Sequence, residues 1–127
     1  MRQIRSMLPY AALVAATLMT TGAYAQSTKM QGGKLVDASG MTLYTFDKDV
    51  TASGKSVCNG SCATNWPPFA ATSTSPSMGD WTIVARDDGT KQWAFKGKPL
   101  YTFAKDKAPG DKTGDGFLNG AWHIVRP

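Results

Sequence analysis

Apolar residues along this chain come in short bursts separated by glycine and aspartate. No window holds the 3.6-residue period of an amphipathic helix. The bursts at 35–36, 43–46, 81–85, 93–95, 100–103 and 122–125 are rich in aromatic and β-branched residues and bounded by turn formers, which predicts strands. Turns are predicted at 37–40 (DASG), 87–90 (DDGT) and 96–97 (KG). The last would join WAF to PLYTF as a tight hairpin, with Pro99 opening its strand, where a missing N–H does least harm. One helical turn is predicted over 62–66, stopped by Pro67 and Pro68. The polar stretch ATSTSPSMGD at 71–80 reads as an insertion loop inside one domain, because the pieces on either side are too short to fold alone.

The strongest pattern is a duplication. LYTFDKD at 43–49 returns as LYTFAKD at 100–106, and Gly40 and Gly97 each stand three residues ahead of the leucine. Tryptophans follow both copies. Whether Trp66 or Trp81 matches Trp122 stays open, since WTIV at 81–84 also echoes WHIV at 122–125. Strand alternation puts Leu43 and Thr45 on one face and Tyr44 and Phe46 on the other, so both faces are substantial. The expected fold is all-β: a small pseudo-symmetric β-sandwich or barrel built from two hairpin repeats, around 33–86 and 91–127. Neither repeat can bury its apolar face alone, so the two close one core between them. The acidic residues agree with this. All are aspartate, which favours turns and caps over helices.

The first residues change the compartment. Arg2 and Arg5 precede an apolar run from Leu8 to Met19, and Ala23-Tyr24-Ala25 forms a small-residue cleavage site, the layout of a secretory signal peptide over 1–25. The run is too short and too threonine-rich for a span of ~20 residues. Cleavage after Ala25 would leave 26–127, with 26–32 as a flexible entry and 33–127 as a single β-domain in the periplasm or outside the cell. The formal charge of +5 then falls to +3 with the loss of the two arginines. The remaining lysines are dispersed rather than clustered, which argues against a nucleic-acid partner. The first cysteine is Cys58, so no lipid anchor is expected.

Several groups could carry chemistry. Tyr44 with Asp49, and Tyr101 with Asp106, form either two equivalent phenol–carboxylate sites or two copies of one fold element, in which the aspartate caps a turn and the tyrosine anchors its hydroxyl. Cys58 and Cys62 flank Asn-Gly-Ser, and in an oxidising compartment they predict a disulfide, worth about 2 kcal/mol on the loop-entropy model. The alternative is a copper or thiol-redox site using Cys58, Cys62 and His123. Asp111, Thr113 and Asp115 ahead of Gly116 resemble half a calcium loop, a weaker alternative because the closing glutamate is missing. No nucleophile elbow, phosphate loop or zinc-protease motif appears, so no enzyme activity and no cofactor are expected.

The phrases Tyr44-x-Phe46-x-x-Asp49 and Tyr101-x-Phe103-x-x-Asp106 match the pattern Yx(FWY)xxD. With CNGSCATNWPP at 58–68, GKPLY at 97–101 and GDG at 114–116, the chain resembles the bacterial secreted-repeat family of predicted lipoproteins that carries this motif. The resemblance spans about residue 35 to the end. It implies export and a repeat architecture, and the family supplies no mechanism. The chain lacks the lipobox cysteine of the lipoprotein members. The expected function is an exported, non-enzymatic binding or interaction module of the cell envelope. Its partner, an envelope component or a protein, would be held by exposed aromatics around one cleft: Tyr44, Trp66, Trp93, Tyr101 and Trp122.

Overall fold

The computed structural model describes residues 28–72 and 77–127. The signal-peptide assignment, its cleavage site and the centre of the 71–80 loop therefore lie outside the described residues. The chain runs through β1 (Lys29–Gln31), β2 (Lys34–Val36), β3 (Tyr44–Phe46), α1 (Ser61–Asn65), β4 (Ala70–Ala71), β5 (Trp81–Ala85), β6 (Lys91–Phe95), β7 (Lys98–Pro99) and β8 (Trp122–Ile124). All pairings are antiparallel: β1 with β2, β3 with β8, and β6 with β4, β5 and β7. The fold is all-β in small packed sheets, and they do not close into a barrel.

Most of the expected strands form; the one expected at 100–103 does not, and there Tyr101 makes only isolated bridges, to Tyr44 and Pro68. Residues 29–31, inside the segment expected to be a flexible entry, form a strand against β2. The 96–97 turn has φ of 52° at Lys96 and 82° at Gly97, and it closes the two-residue hairpin between β6 and β7. The helical turn sits at 61–65, one residue ahead of the expected position, and ends where Trp66 N–H donates to the Cys62 carbonyl, just before the prolines. A second compact turn at 117–120, not expected from the sequence, is no regular helix, since Leu118 and Asn119 are both left-handed.

The two halves are related by an approximate two-fold axis that leaves its mark in the backbone. Tyr44 and Tyr101 exchange both main-chain hydrogen bonds, at 2.8 and 3.0 Å. Leu35 N–H donates to Val125, Leu43 to Leu35 and Val125 to Leu43; in the counterpart triangle Trp93 donates to Phe69, Leu100 to Trp93 and Phe69 to Leu100, so each triangle takes one residue from the other half. One break in the symmetry has an evident reason. β3 pairs along its length with β8, but the equivalent of β8 in the first half contains Pro67 and Pro68. Prolines cannot donate, so only one-way bonds remain there, from Thr102 to Pro67 and from Ala104 to Asn65.

Side chains on the two faces of the repeated LYTF segments feed two clusters. Tyr44, Phe46, Tyr101 and Phe103 join Cys58, Trp66, Trp122 and Ile124 in one. Leu43 and Leu100 point the other way, into a cluster with Leu35, Trp93 and Val125.

Candidate functional site

The repeated motif builds one interlocked centre rather than two separate sites. Tyr44 Oη donates to Asp106 Oδ2 at 2.7 Å, and Tyr101 Oη donates to Asp49 Oδ2 at 2.6 Å. Each tyrosine thus reaches the carboxylate of the other copy, which corrects the expected grouping of Tyr44 with Asp49 and of Tyr101 with Asp106. The second carboxylate oxygens hold loops: Asp49 Oδ1 accepts Val57 N–H at 2.8 Å, and Asp106 Oδ1 accepts the Thr113 N–H and hydroxyl at 2.9 and 2.6 Å. Ser56 and Gly114 complete the shells, on Tyr101 and Tyr44 respectively.

The aromatic rings are exchanged in the same way. Phe46 stacks on Trp122 at 4.1 Å, Trp122 on Trp66 at 3.8 Å, and Trp66 on Phe103 at 4.0 Å, giving a continuous four-ring pile across the two halves. Tyr44 and Tyr101 meet the tryptophans edge-on at 5.2 and 5.0 Å. Gly114 is required beside this pile. A Cβ there would lie 2.5 Å from Trp66 Cη2 and 3.0 Å from Phe103 Cδ2.

Burial, and next the hydrogen bond to the partner carboxylate, push both phenols well above the usual tyrosine range. An unfolded tyrosine ionises near pH ~10. Because the folded values are raised, the folded state holds these protons more tightly. Stability is therefore fully present below about pH 10 and is lost as pH rises from there, by up to ~1.4 kcal/mol per pH unit for each tyrosine. Urea unfolding followed from pH 8 to 12 should show this fall, and the Tyr44→Phe/Tyr101→Phe chain should lose most of its steepness. An equally steep fall in that chain would remove the tyrosines as its cause.

Cys58 and Cys62 form a disulfide. Arg86, a buried residue that the sequence reading passed over, fixes this loop. Its guanidinium donates to the Cys58 carbonyl at 2.6 Å, to Asn59 Oδ1 at 3.1 Å and to Gln92 Oε1 at 2.7 Å. Its one available signal was position, an arginine between a strand and a DDG turn. Lys98 likewise closes the first motif turn, donating to the carbonyls of Phe46 and Asp49.

The structure does not bring together the residues of the two alternative metal groups. His123 lies half-exposed and pairs with Asp47 at 2.9 Å. Asp111 accepts the N–H groups of Lys107 and Ala108, which hold its carboxyl below the usual range. Thr113 is engaged with Asp106, and Asp115 accepts Ile124 N–H. Among the described residues no group of three or more His, Cys, Asp or Glu is placed to hold a metal ion.

The expected aromatic cleft is also corrected. Tyr44, Trp66, Trp93, Tyr101 and Trp122 are all 0–3% exposed, because each fills the shared core. An apolar cleft of about 470 Å³ opens elsewhere, lined by Thr28, Lys29, Met30 and Leu35 from the first half and by Trp81, Phe95 and Pro127 from the second. The Trp81 and Phe95 rings stand 4.9 Å apart on its wall, and Lys96 lies 5.4 Å over the Phe95 ring.

A family model described as a secreted repeat of unknown function matches this chain twice, over 26–70 and 82–126. The two spans coincide with the two halves related by the pseudo-two-fold axis. They assign β5 to the second copy and settle the open question of the tryptophans, Trp66 being the counterpart of Trp122. No curated protein and no solved structure matches the chain.

Proposed function

The chain belongs to the family of secreted repeats of unknown function, and from that premise we propose that it is an exported, non-enzymatic binding module of the bacterial cell envelope. Signal cleavage after Ala25 and residence in the periplasm or beyond it are part of this reading. The motif residues serve as the frame, and the ligand is held in the cleft between β1–β2 and β5–β6. The observation that carries the proposal is the composition of that cleft. A volume of about 470 Å³ lies within the range of ligand sites, and the lining is mainly apolar and aromatic with Lys29 among it. Trp81 is the one tryptophan left half-buried, while Trp66, Trp93 and Trp122 are in the core.

The neutral dye N-phenyl-1-naphthylamine, titrated into the native mature chain, tests the reading. Saturable dye emission is expected, accompanied by quenching of tryptophan fluorescence, and both should be lost in Met30→Glu and Trp81→Ala. Met30 is 51% exposed, so the charge should leave the fold intact. No saturable emission, or emission unchanged in both variants, would turn the proposal down.

A further inference from the structure

We infer that the inner face of each repeat is a docking surface for a second copy of the repeat, and that two chains can assemble by exchanging their halves. The evidence is that the surface is already occupied by such a copy. The motif contacts across it occur twice with the roles reversed: Tyr44–Asp106 and Tyr101–Asp49, Phe46–Trp122 and Phe103–Trp66. On the axis the two tyrosine backbones bond to each other, and Trp66 stacks on Trp122. This is the geometry of an isologous interface, in which one patch binds its own copy. The strand ladder crosses the same boundary, since β3 of the first repeat pairs with β8 of the second.

None of these contacts requires the two repeats to share a chain. The covalent path between them runs from β4, ending at Ala71, to β5, beginning at Trp81. A short tether gives the intrachain partner an effective concentration in the millimolar range, which favours closure within one chain. Exchange between chains should therefore emerge on folding at high protein concentration, or when the tether is shortened. The cleft between β1–β2 and β5–β6 takes residues from both repeats, so each cleft of an exchanged dimer would be shared by two chains.

The test uses β3–β8 register. Thr45 and His123 lie directly opposite each other, where Cβ atoms are about 4.5–5.5 Å apart, and neither side chain is in the core. One mature chain carries Thr45→Cys and another His123→Cys. Both are unfolded in urea without reductant, so that Cys58–Cys62 stays closed, then mixed, refolded and oxidised. The mixed covalent dimer is expected several-fold above random pairing, with a yield that rises with protein concentration. Chains folded separately before mixing should give only random pairing. In parallel, light scattering on the refolded wild-type chain and on a chain lacking residues 73–76 should show a larger dimer fraction in the shortened one. Random pairing at every concentration, together with monomer in both light-scattering samples, would overturn the inference.

Discussion

Trp66→Ala is expected to destabilise the domain by about 3–5 kcal/mol, measured as a fall in the urea midpoint of the mature chain. The figure is large because the ring has aromatic neighbours on both faces and at its edge. Trp122 lies on one face at 3.8 Å with planes 3° apart, Phe103 on the other at 4.0 Å, and Tyr44 meets it at 5.2 Å. Each such pair adds about 0.5–1.5 kcal/mol beyond simple burial. A domain of this size has a total stability of only about 5–15 kcal/mol, so the variant should be close to unfolding. Trp122→Ala should behave alike, since its ring has the mirrored environment. Trp81→Ala, on the half-buried wall of the cleft, should cost less than half as much. The unfolding of Trp66→Ala should remain a single transition seen equally by probes in either repeat. A loss below about 1 kcal/mol would mean that the ring pile is not what joins the halves.

Asp49→Ala is expected to cost about 2–5 kcal/mol, because it removes the acceptor for two groups at once. The buried Tyr101 hydroxyl loses a 2.6 Å bond and Val57 N–H a 2.8 Å bond. A hydrogen bond to a charged acceptor is worth about 1.5–3 kcal/mol, and two are lost here, with Ser56 still a partner of the Tyr101 hydroxyl. The exchange of partners sharpens the test. A double-mutant cycle between Asp49→Ala and Tyr101→Phe should give a coupling of about 1.5–3 kcal/mol. The cycle between Asp49→Ala and Tyr44→Phe, residues five apart in the same repeat, should give well under half of that. Coupling of equal size in the two cycles, or stronger with Tyr44, would contradict the arrangement of the carboxylates.

Much of the fold was legible because its signals are local. The burst at 81–85 is β5, and the burst at 93–95 becomes β6 extended by Lys91 and Gln92. The DDG and KG turns form where Gly89 and Gly97 take the left-handed backbone angles, with Lys96 left-handed ahead of Gly97. The disulfide followed from two close cysteines in an exported chain. The 29–31 strand was missed because KMQ has no β-branched or aromatic residue, and its pairing with β2 decides its state. The cleft was missed for a related reason. The Met30–Leu35 pair and the Trp81–Phe95 pair are far apart along the chain, and only folding places them around one cleft.

The sequence by itself determined that this protein is built from a pair of all-β repeats, with most strands and turns at set places. Periodicity, turn chemistry and the 43–49/100–106 duplication carry that information within a few residues of each position. Only the tertiary structure decided who partners whom. Because the two motif copies are nearly identical, Tyr44 beside Asp49 and Tyr44 beside Asp106 read the same in one dimension. The choice falls to the exchanged pairing because β3 can complete its hydrogen bonds along β8, and because the four rings stack without a gap only when each repeat contributes alternate members. That preference is a property of two surfaces meeting across more than fifty residues of chain, which no local pattern encodes.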